Sequence, residues 1–313
     1  TIHGIHIQAL DTDPSNLGAG QVWYNTTSNQ LKITAVSTTG AWASGGNMGT
    51  AKYSLAGAGT QTAALGFGGY TPSATNATEH YDGSAWTAGG NMGTGRGSLA
   101  GAGTQTAGLA FGGFDGTGTT NATEHYDGSA WTAGGNMATS RRQLAGAGTQ
   151  TAGLAFGGRT PSSTTNTTEH YDGSAWTSGG NMATARSLLA GSGTQTAGLA
   201  FGGSPTTNAT EHYDGSAWTT GGNMATSRQQ LAGAGTQTAG LAFGGSPTTN
   251  ATEHYDGSAW TAGGNLGTGR YSLAGCGTQT AGLAFGGYAG YSKFNATEEY
   301  AGPGITTQTV TAS

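Results

Sequence analysis

Residues 188–222 read LLAGSGTQTAGLAFGGSPTTNATEHYDGSAWTTGG, and close copies of this stretch recur along the chain. The phrase ending in Phe-Gly-Gly occurs six times, and so does the phrase Thr-Glu-His-Tyr or Thr-Glu-Glu-Tyr. A tryptophan recurs at intervals of 42–45 residues, at Trp42, Trp86, Trp131, Trp176, Trp218 and Trp260. A period of this length is typical of propeller blades that hold four short strands each.

Turn residues divide each repeat into four predicted strands, a to d. No segment shows an apolar spacing of about 3.6 residues, so the pattern predicts an all-β protein. Gln195 supplies the a–b turn, and Asp214-Gly215 predicts a two-residue type I′ turn between c and d. In the fourth repeat the strands are predicted over 188–194, 196–201, 209–213 and 217–220.

One four-stranded sheet of this size buries too little surface to be stable alone, whereas sheets stacked around an axis cover each other's faces. The sequence therefore predicts a β-propeller of six blades, each of four antiparallel strands. Strand a would lie nearest the axis, where blades crowd. Gly191 and Gly193 project to one face of it with period 2, and we expect them to allow close approach.

The number of blades depends on how the ring closes. Residues 41–47 form a d strand with no a, b and c strands before it, and the last repeat has a degraded d strand. Six blades result if the N-terminal strand completes the C-terminal blade. The alternative is seven: residues 22–25, 31–36 and 41–42 would form a three-stranded N-terminal blade, and 305–311 would supply the sixth d strand.

Composition narrows the classes of partner. Ten basic and fifteen acidic residues give a net charge of −5 with no basic run, so neither nucleic acid nor an anionic membrane surface is an expected partner. No stretch approaches the ~18 apolar residues of a membrane span. The single cysteine allows no internal disulfide and no thiolate zinc cluster.

Within each repeat the order is an apolar run, Gly-Gly, a Glu two residues before a Tyr, Asp, Trp, then Met and Arg. This order resembles the kelch repeat, and the resemblance covers residues 42–301. It implies a kelch-type propeller, a family with six or seven blades that includes some enzymes and many binding proteins. The last repeat departs from the pattern at Ala301 and Ile305, and Leu266 replaces Met in the linker before it.

The N-terminal phrase GQVWYNTTSNQLK, residues 20–32, resembles hairpins of tailed-phage tail and fibre proteins. Together with the blade phrase it is similar to kelch-like structural proteins of marine tailed phages. The resemblance implies an appendage, fibre or decoration protein at the virion surface, extracellular and homo-oligomeric. We expect a linker or attachment segment over 1–20 that contacts other virion proteins, a β-hairpin or partial blade over 21–40, the propeller over 41–301, and a C-terminal strand or tail over 302–313.

The start of the chain, Thr-Ile-His-Gly, shows neither a signal-peptide pattern nor an initiator methionine. We therefore expect a processed chain or a fragment. The Asn-x-Thr phrases would be glycosylation sites in a secreted eukaryotic protein and mere loop-to-strand phrases in a phage, and both interpretations stay open. These asparagines are Asn25, Asn76, Asn121, Asn166, Asn208, Asn250 and Asn295.

The repeated Glu-His pairs do not indicate a catalytic or metal site. Neighbours on a strand point to opposite faces, so the two side chains cannot chelate one ion. Cys276 takes a position that Ala or Ser fills in the other repeats, so we expect a small buried residue. The phrase Asp-Gly-Ser-Ala-Trp resembles the Asp-box of sialidases but is one residue too short. We predict no catalytic residues, no metal and no cofactor; a secreted carbohydrate-active enzyme of the oxidase or sialidase type is the alternative.

A basic residue before each strand a and a Glu on each strand c occur in equal number, which predicts buried ion pairs within or between blades. An alternative role for the basic residues is binding of an anionic sugar or phosphate. The basic residues are Lys52, Arg96, Arg141, Arg186, Arg228 and Arg270, and the acidic ones are Glu79, Glu124, Glu169, Glu211, Glu253 and Glu298.

The residues that differ between otherwise similar repeats lie in the b–c loop and just after the recurrent basic residue. In a four-stranded meander both connections leave from the same end of the blade, so we expect them on one rim, with the constant Gly-Thr-Gln-Thr turns on the other. Aromatic residues with Arg and Gln are suited to stacking on sugars or anchoring a protein. We predict a non-enzymatic protein whose rim binds a host-surface glycan or protein; neutral drift in loops and a purely structural decoration protein are the alternatives. The rim residues are Tyr53, Tyr70, Phe114, Arg142, Arg159, Gln229, Tyr271, Tyr288 and Tyr291.

Overall fold

A computed structural model describes the backbone of residues 7–310 and, within them, the side chains of all but 35, 36 and 305–308. Two compact units are present: residues 41–301, and a smaller unit built from the chain before residue 41 and after residue 301. The described residues form strands and turns, so the all-β prediction is confirmed. No helix in this range is long and apolar enough to cross a membrane.

The larger unit consists of six four-stranded antiparallel sheets, blades 1 to 6, each in the strand order a-b-c-d. Each strand a lies beside the a strands of both neighbouring blades, and blade 6 lies beside blade 1, so the ring is closed. From a to d, the strands are β5 (Ala56–Thr60), β6 (Ala63–Phe67), β7 (Thr78–Tyr81) and β8 (Trp86–Ala88) in blade 1; β9 (Ala100–Gly103), β10 (Gly108–Phe111), β11 (Thr123–Tyr126) and β12 (Trp131–Ala133) in blade 2; β13 (Ala145–Gly148), β14 (Gly153–Phe156), β15 (Thr168–Tyr171) and β16 (Trp176–Ser178) in blade 3; β17 (Ala190–Gly193), β18 (Gly198–Phe201), β19 (Thr210–Tyr213) and β20 (Trp218–Thr220) in blade 4; β21 (Ala232–Gly235), β22 (Gly240–Phe243), β23 (Thr252–Tyr255) and β24 (Trp260–Ala262) in blade 5; β25 (Ala274–Gly277), β26 (Ala281–Phe285), β29 (Thr297–Ala301) and β4 (Ala41–Ser44) in blade 6.

Blade 6 is completed by the N-terminal strand β4, as the six-bladed prediction required. β4 pairs with β29 in the antiparallel register Trp42↔Tyr300, which matches Trp131↔Tyr126 in blade 2. The seven-bladed alternative is not formed, because β30 (Gly304–Thr309) pairs with β3 (Gln30–Ser37) instead of joining a blade. Thr311, the end of the strand proposed in that alternative, lies outside the described residues.

The smaller unit is one sheet in which β1 (Gln8–Leu10) lies beside β2 (Val22–Asn25), β2 beside β3, and β3 beside β30. β1 runs parallel to β2, and the other pairs are antiparallel. Asp13 fixes the segment between β1 and β2, because its carboxylate accepts hydrogen bonds from Trp23 Nε1 (3.1 Å), Asn25 Nδ2 (2.7 Å) and Lys32 Nζ (2.9 Å). Residues 1–6 and 311–313, parts of the predicted end segments, lie outside the described residues.

The apolar core lies between blades, in contacts that we call seams. In the seam of blades 2 and 3, Phe111 packs against Trp176 with ring centroids 5.0 Å apart, and Tyr171 lies 4.9 Å from the same indole. Trp176 Nε1 also donates a hydrogen bond to Thr123 Oγ1 of the preceding blade at 2.9 Å. A blade therefore buries its aromatic residues only against its neighbours, which explains why the repeats occur as a closed set.

Strand a is shorter than predicted, and its two glycines serve different purposes. Leu188 has φ +56° and lies outside the strand, which begins at Ala190. A Cβ on Gly191 would lie 2.4 Å from Cζ of Phe156 in blade 3, so this glycine does allow close approach of blades. Gly193 has φ +99° and is required instead for the turn into strand b.

The prediction of a two-residue turn at Asp214-Gly215 is wrong. Tyr213 pairs with Trp218, so the c–d loop has four residues, 214–217. The Asp214 carboxylate explains the longer loop, since its Oδ1 accepts hydrogen bonds from Ser216 N, Ser216 Oγ and Ala217 N, each at 2.8 Å. The sequence signal of Asp followed by Gly thus came from an Asx-type turn and a glycine with φ +96°.

Candidate functional site

A closed circle of backbone hydrogen bonds surrounds the propeller axis at the end where the d–a connections enter. Six non-glycine residues with φ between +50° and +56° form it, and we call them the floor residues. Each N–H donates to the carbonyl of the preceding floor residue at 2.7–2.8 Å, and Ser54 N donates to Ser272 O to complete the circle. Left-handed backbone is unfavourable for such residues, so the circle holds them there. The floor residues are Ser54, Ser98, Gln143, Leu188, Gln230 and Ser272.

The residue before each floor residue pairs with the first residue after the Gly-Gly of the same blade. Tyr53 and Tyr70 show the pattern, with Tyr70 N donating to Tyr53 O at 2.9 Å. Gly69 permits it, because a Cβ there would lie 2.8 Å from the Tyr53 carbonyl oxygen. The d–a and b–c connections therefore meet at one end of every blade. These bridge positions are Tyr53–Tyr70, Gly97–Phe114, Arg142–Arg159, Ser187–Ser204, Gln229–Ser246 and Tyr271–Tyr288.

Five floor residues and five bridge residues line a depression of about 470 Å³. Four of the predicted rim residues form an aromatic wall on blades 6 and 1, with Tyr53 at its centre. The ring centroid of Tyr53 lies 5.4 Å from that of Tyr70 and 5.3 Å from that of Tyr288. The ring centroids of Tyr288 and Tyr271 are 5.7 Å apart. The volume falls within the roughly 300–1,000 Å³ range of small-molecule sites.

Blades 2 and 3 contribute a different chemistry. Arg142 lines the depression, and its guanidinium carbon lies 5.0 Å from the centroid of Phe114. Tyr70 leans over blade 2, where a Cβ on Gly97 would lie 2.2 Å from its ring. Burial raises the pKa of Tyr70, and a hydrogen bond with Ser98 and the positive charge of Arg142 oppose that rise. Arg159 is exposed beside Arg142.

Four predicted rim residues lie outside the lining of the depression: Phe114, Arg159, Gln229 and Tyr291. Gln229 is half-buried at the bridge of blade 5. Tyr291 lies at the tip of a two-stranded hairpin in blade 6, β27 (Tyr288–Ala289) and β28 (Ser292–Lys293), and is fully exposed. Lys293 Nζ ties this hairpin to blade 1 through a hydrogen bond to Thr71 O.

Sequence reasoning missed the floor residues that line the depression. Their side chains add hydroxyl and amide groups beneath the aromatic wall. Their sequence signal is variation between repeats, which extends from the residue after the recurrent basic residue to the next residue along the chain. The missed residues are Ser54, Ser98, Gln143, Gln230 and Ser272.

The recurrent basic residues are buried and bonded within their own blades. In blade 2, Arg96 Nη2 lies 2.8 Å from Glu124 Oε1, and Nη1 donates to the carbonyls of Gly112 (2.8 Å) and Ala122 (2.7 Å). Burial lowers the pKa of Arg96, and Glu124 opposes that effect. These residues cannot reach an anionic ligand at the surface. The other pairs are Lys52–Glu79, Arg141–Glu169, Arg186–Glu211, Arg228–Glu253 and Arg270–Glu298, at 2.6–3.0 Å.

The histidines bond across seams. His80 Nε2 lies 2.7 Å from Tyr126 Oη of the next blade, while its neighbour Glu79 faces Lys52. Burial lowers the pKa of His80. Among residues 7–310, no three His, Cys, Asp or Glu side chains are placed to hold a metal ion. Cys276 is buried in strand a of blade 6, where burial raises the pKa of its thiol to about 12.

The asparagines of the blade Asn-x-Thr phrases have a structural role. Asn121 Nδ2 donates to Met137 O at 2.7 Å and so holds the linker after strand d against the b–c loop. The equivalent bond is made by Asn76, Asn166, Asn208, Asn250 and Asn295. A glycan on this nitrogen would replace one of its two N–H donors.

No protein-family model matches the chain, and no curated protein matches it. The propeller is established by its strand pairing.

Proposed function

We propose that this is a non-enzymatic binding protein whose depression recognises a carbohydrate on a host surface. The observation that carries the proposal is the convergence of the variable positions. Blades that share their seam residues differ at the bridge positions, and five of those side chains line one depression: Tyr53, Tyr70, Arg142, Tyr271 and Tyr288.

The chemistry of the depression suits a sugar. Tyrosine rings offer flat apolar faces to the C–H faces of a pyranose, and their hydroxyl groups remain able to hydrogen-bond. The floor adds hydroxyls of Ser54, Ser98 and Ser272 and amides of Gln143 and Gln230. Donors and acceptors beside an apolar wall are the combination that orients a polyhydroxylated ligand.

Binding is better supported than catalysis. The repeated Glu and His side chains are committed to ion pairs and seam hydrogen bonds, and Cys276 is buried in packing. The alternative of an oxidase or sialidase would need its acid, base or radical residues to face the depression. Its lining contains one ionisable group other than tyrosine, Arg142.

We also propose that the protein is a virion appendage of a tailed phage, located at the extracellular surface. The support is the resemblance of residues 20–32 to phage tail and fibre hairpins. Other virion proteins would then bind the smaller unit. Several copies on one particle would allow weak single-site affinity to suffice.

The test exchanges side chains between blades. Tyr271→Gln with Tyr288→Ser gives blade 6 the bridge pair that blade 5 already carries, so the backbone is expected to accept it. We expect glycan-array binding of the full chain to fall by about tenfold or more, because the end of the aromatic wall is removed. The matched control, Gln229→Ala with Ser246→Ala, should leave binding unchanged. Equal losses in both variants, or no glycan bound by the parent chain, would contradict the proposal.

A further inference from the structure

Blade 3 carries two arginines at bridge positions where every other blade carries neutral residues. Two backbone hydrogen bonds join them, Arg142 N to Arg159 O at 3.0 Å and Arg159 N to Arg142 O at 2.8 Å. Residues directly opposite on antiparallel strands share one face, so both arginine side chains leave the backbone on the same face. Like charges in this arrangement destabilise a strand pair, and the fold itself gives no reason to hold them there.

No carboxylate neutralises this pair in the part of the chain that the structure describes. The ion pairs found there belong to Lys32 with Asp13 and to the six buried blade pairs. Asp115 follows Phe114 in the neighbouring loop, but its Oδ1 accepts three hydrogen bonds within its own turn, from Thr117 and Gly118.

The position of Arg142 connects this charge to the depression. Its guanidinium stacks on Phe114, and its Nε is buried with no hydrogen-bond partner in the described range. Burial raises the pKa of Tyr70, and the positive charge of Arg142 opposes that rise. A cation and an aromatic wall therefore border the same space.

We infer that Arg142, in the lining of the depression, and Arg159, exposed beside it, form an anion subsite at the edge of the depression and that the ligand is an acidic carbohydrate bearing a carboxylate or a sulfate. This inference rests on the carbohydrate recognition proposed above. Guanidinium forks match carboxylate and sulfate oxygens, and a bound anion supplies the missing counter-charge. The tyrosines hold the sugar ring while the arginines hold its acidic group.

The experiment compares matched acidic and neutral sugars on the full chain by isothermal titration calorimetry. Trigalacturonic acid against its trimethyl ester tests a carboxylate, and a galactose-6-sulfate trisaccharide against its unsulfated parent tests a sulfate. We expect one acidic sugar to bind about tenfold or more tightly than its neutral counterpart. Raising the salt from about 50 to about 500 mM should weaken that preference, because the subsite is partly exposed.

Arg142→Gln with Arg159→Ser installs the residue types found at the bridge of blade 5. We expect this variant to lose the acid preference and the salt dependence, and its Tm to rise because two like charges no longer occupy one bridge. Arg142→Lys keeps the charge without the fork and should keep part of the preference.

Three outcomes separate the two proposals. Equal binding of acidic and neutral sugars by the parent chain overturns the anion subsite and leaves carbohydrate binding in place. Binding of no sugar in either pair overturns both. A double variant with a lower Tm and an unchanged acid preference shows that the arginines are structural, which also overturns the anion subsite.

Discussion

The place where the ring closes differs from the other five seams. Elsewhere a histidine on strand c bonds the tyrosine hydroxyl of the next blade at 2.6–2.7 Å. Between blades 6 and 1 the partner of Tyr81 is Glu299, at 2.5 Å. Burial, and after it the hydrogen bond to Glu299, raises the pKa of Tyr81 to about 12. The closing seam therefore has a charge-assisted tyrosine–carboxylate hydrogen bond where the other five seams have a neutral tyrosine–histidine hydrogen bond.

The candidate site crosses this same seam. Tyr53 of blade 1 packs on Tyr288 of blade 6, and Lys293 of the blade 6 hairpin bonds Thr71 of blade 1. Blade 1 also carries Lys52 where the other blades carry arginine. The repeat is therefore constant at the five ordinary seams and changes at the closing seam and at the bridge positions that line the depression.

The largest effect is expected from breaking a buried ion pair in an ordinary blade. Arg141→Met leaves Glu169 buried without a counter-charge and removes hydrogen bonds to the carbonyls of Gly157 and Thr167. We expect a loss of about 3–5 kcal/mol in the free energy of unfolding, measured with guanidinium chloride. Lys52→Met should lose less, because Lys52 makes the ion pair without those backbone bonds in the described structure.

The control for this prediction removes both charges. Arg141→Met with Glu169→Leu leaves no unpaired charge and should recover most of the lost stability. A single variant that loses less than about 1 kcal/mol would show that the pair is not buried as the structure has it.

The second effect is a loss of stability in mild acid that comes from five seams and not from the sixth. Burial lowers the pKa of these histidines from the ordinary value of 6.5. As the pH falls, the unfolded chain therefore binds protons before the folded one. The contribution of these histidines to stability is fully present above pH 6.5 and is lost as the pH drops through their folded pKa values. The histidines are His80, His125, His170, His212 and His254.

The variants that check this pH dependence act in opposite directions. His125→Gln should weaken the loss between neutral and mildly acidic pH, followed as Tm against pH, and Glu299→His should strengthen it by making the closing seam like the others. The turn aspartates, such as Asp127, have a pKa lowered from 3.8 by hydrogen bonds from Ala130 and Ser129. Their contribution is lost only in stronger acid. A Tm that stays constant down to about pH 4 would contradict the prediction.

The third effect is a gain. Lys52→Arg restores to blade 1 the guanidinium of the other blades, with the carbonyls of Gly68 and Ala77 in the equivalent positions. We expect about 1 kcal/mol of added stability from the new hydrogen bonds. Arg96→Lys in blade 2 is the reciprocal change and should lose a similar amount. A loss of stability on Lys52→Arg would show that blade 1 packs differently from the other blades at this position.

Sequence periodicity predicted the blades, because each unit repeats the same seam residues and cannot bury them alone. It also predicted how blade 6 closes, from a tryptophan strand with no partners before it. It did not predict the c–d loop, where the Asp214 side chain competes with the tight turn that Asp-Gly favours. Variation between repeats marks the floor positions as different, but the left-handed backbone that places them in the depression has no signal in residue types such as Ser54 or Leu188. Such a conformation is imposed by the circle of hydrogen bonds, which exists only once the ring is closed.

The smallest effect on stability is expected at the hairpin beside the closing seam. Tyr291 is fully exposed at the hairpin tip, after Gly290 with φ +58°. Tyr291→Ser should therefore change the free energy of unfolding by less than about 0.5 kcal/mol. Ligand binding is a separate readout: a sugar long enough to leave the depression over blade 6 should bind the variant more weakly, and a monosaccharide should not. Ser162→Ala, at an exposed b–c loop residue of blade 3, is the matched control, because it changes a similar loop away from the aromatic wall. An equal effect of both substitutions on the longer sugar would place the hairpin outside the site.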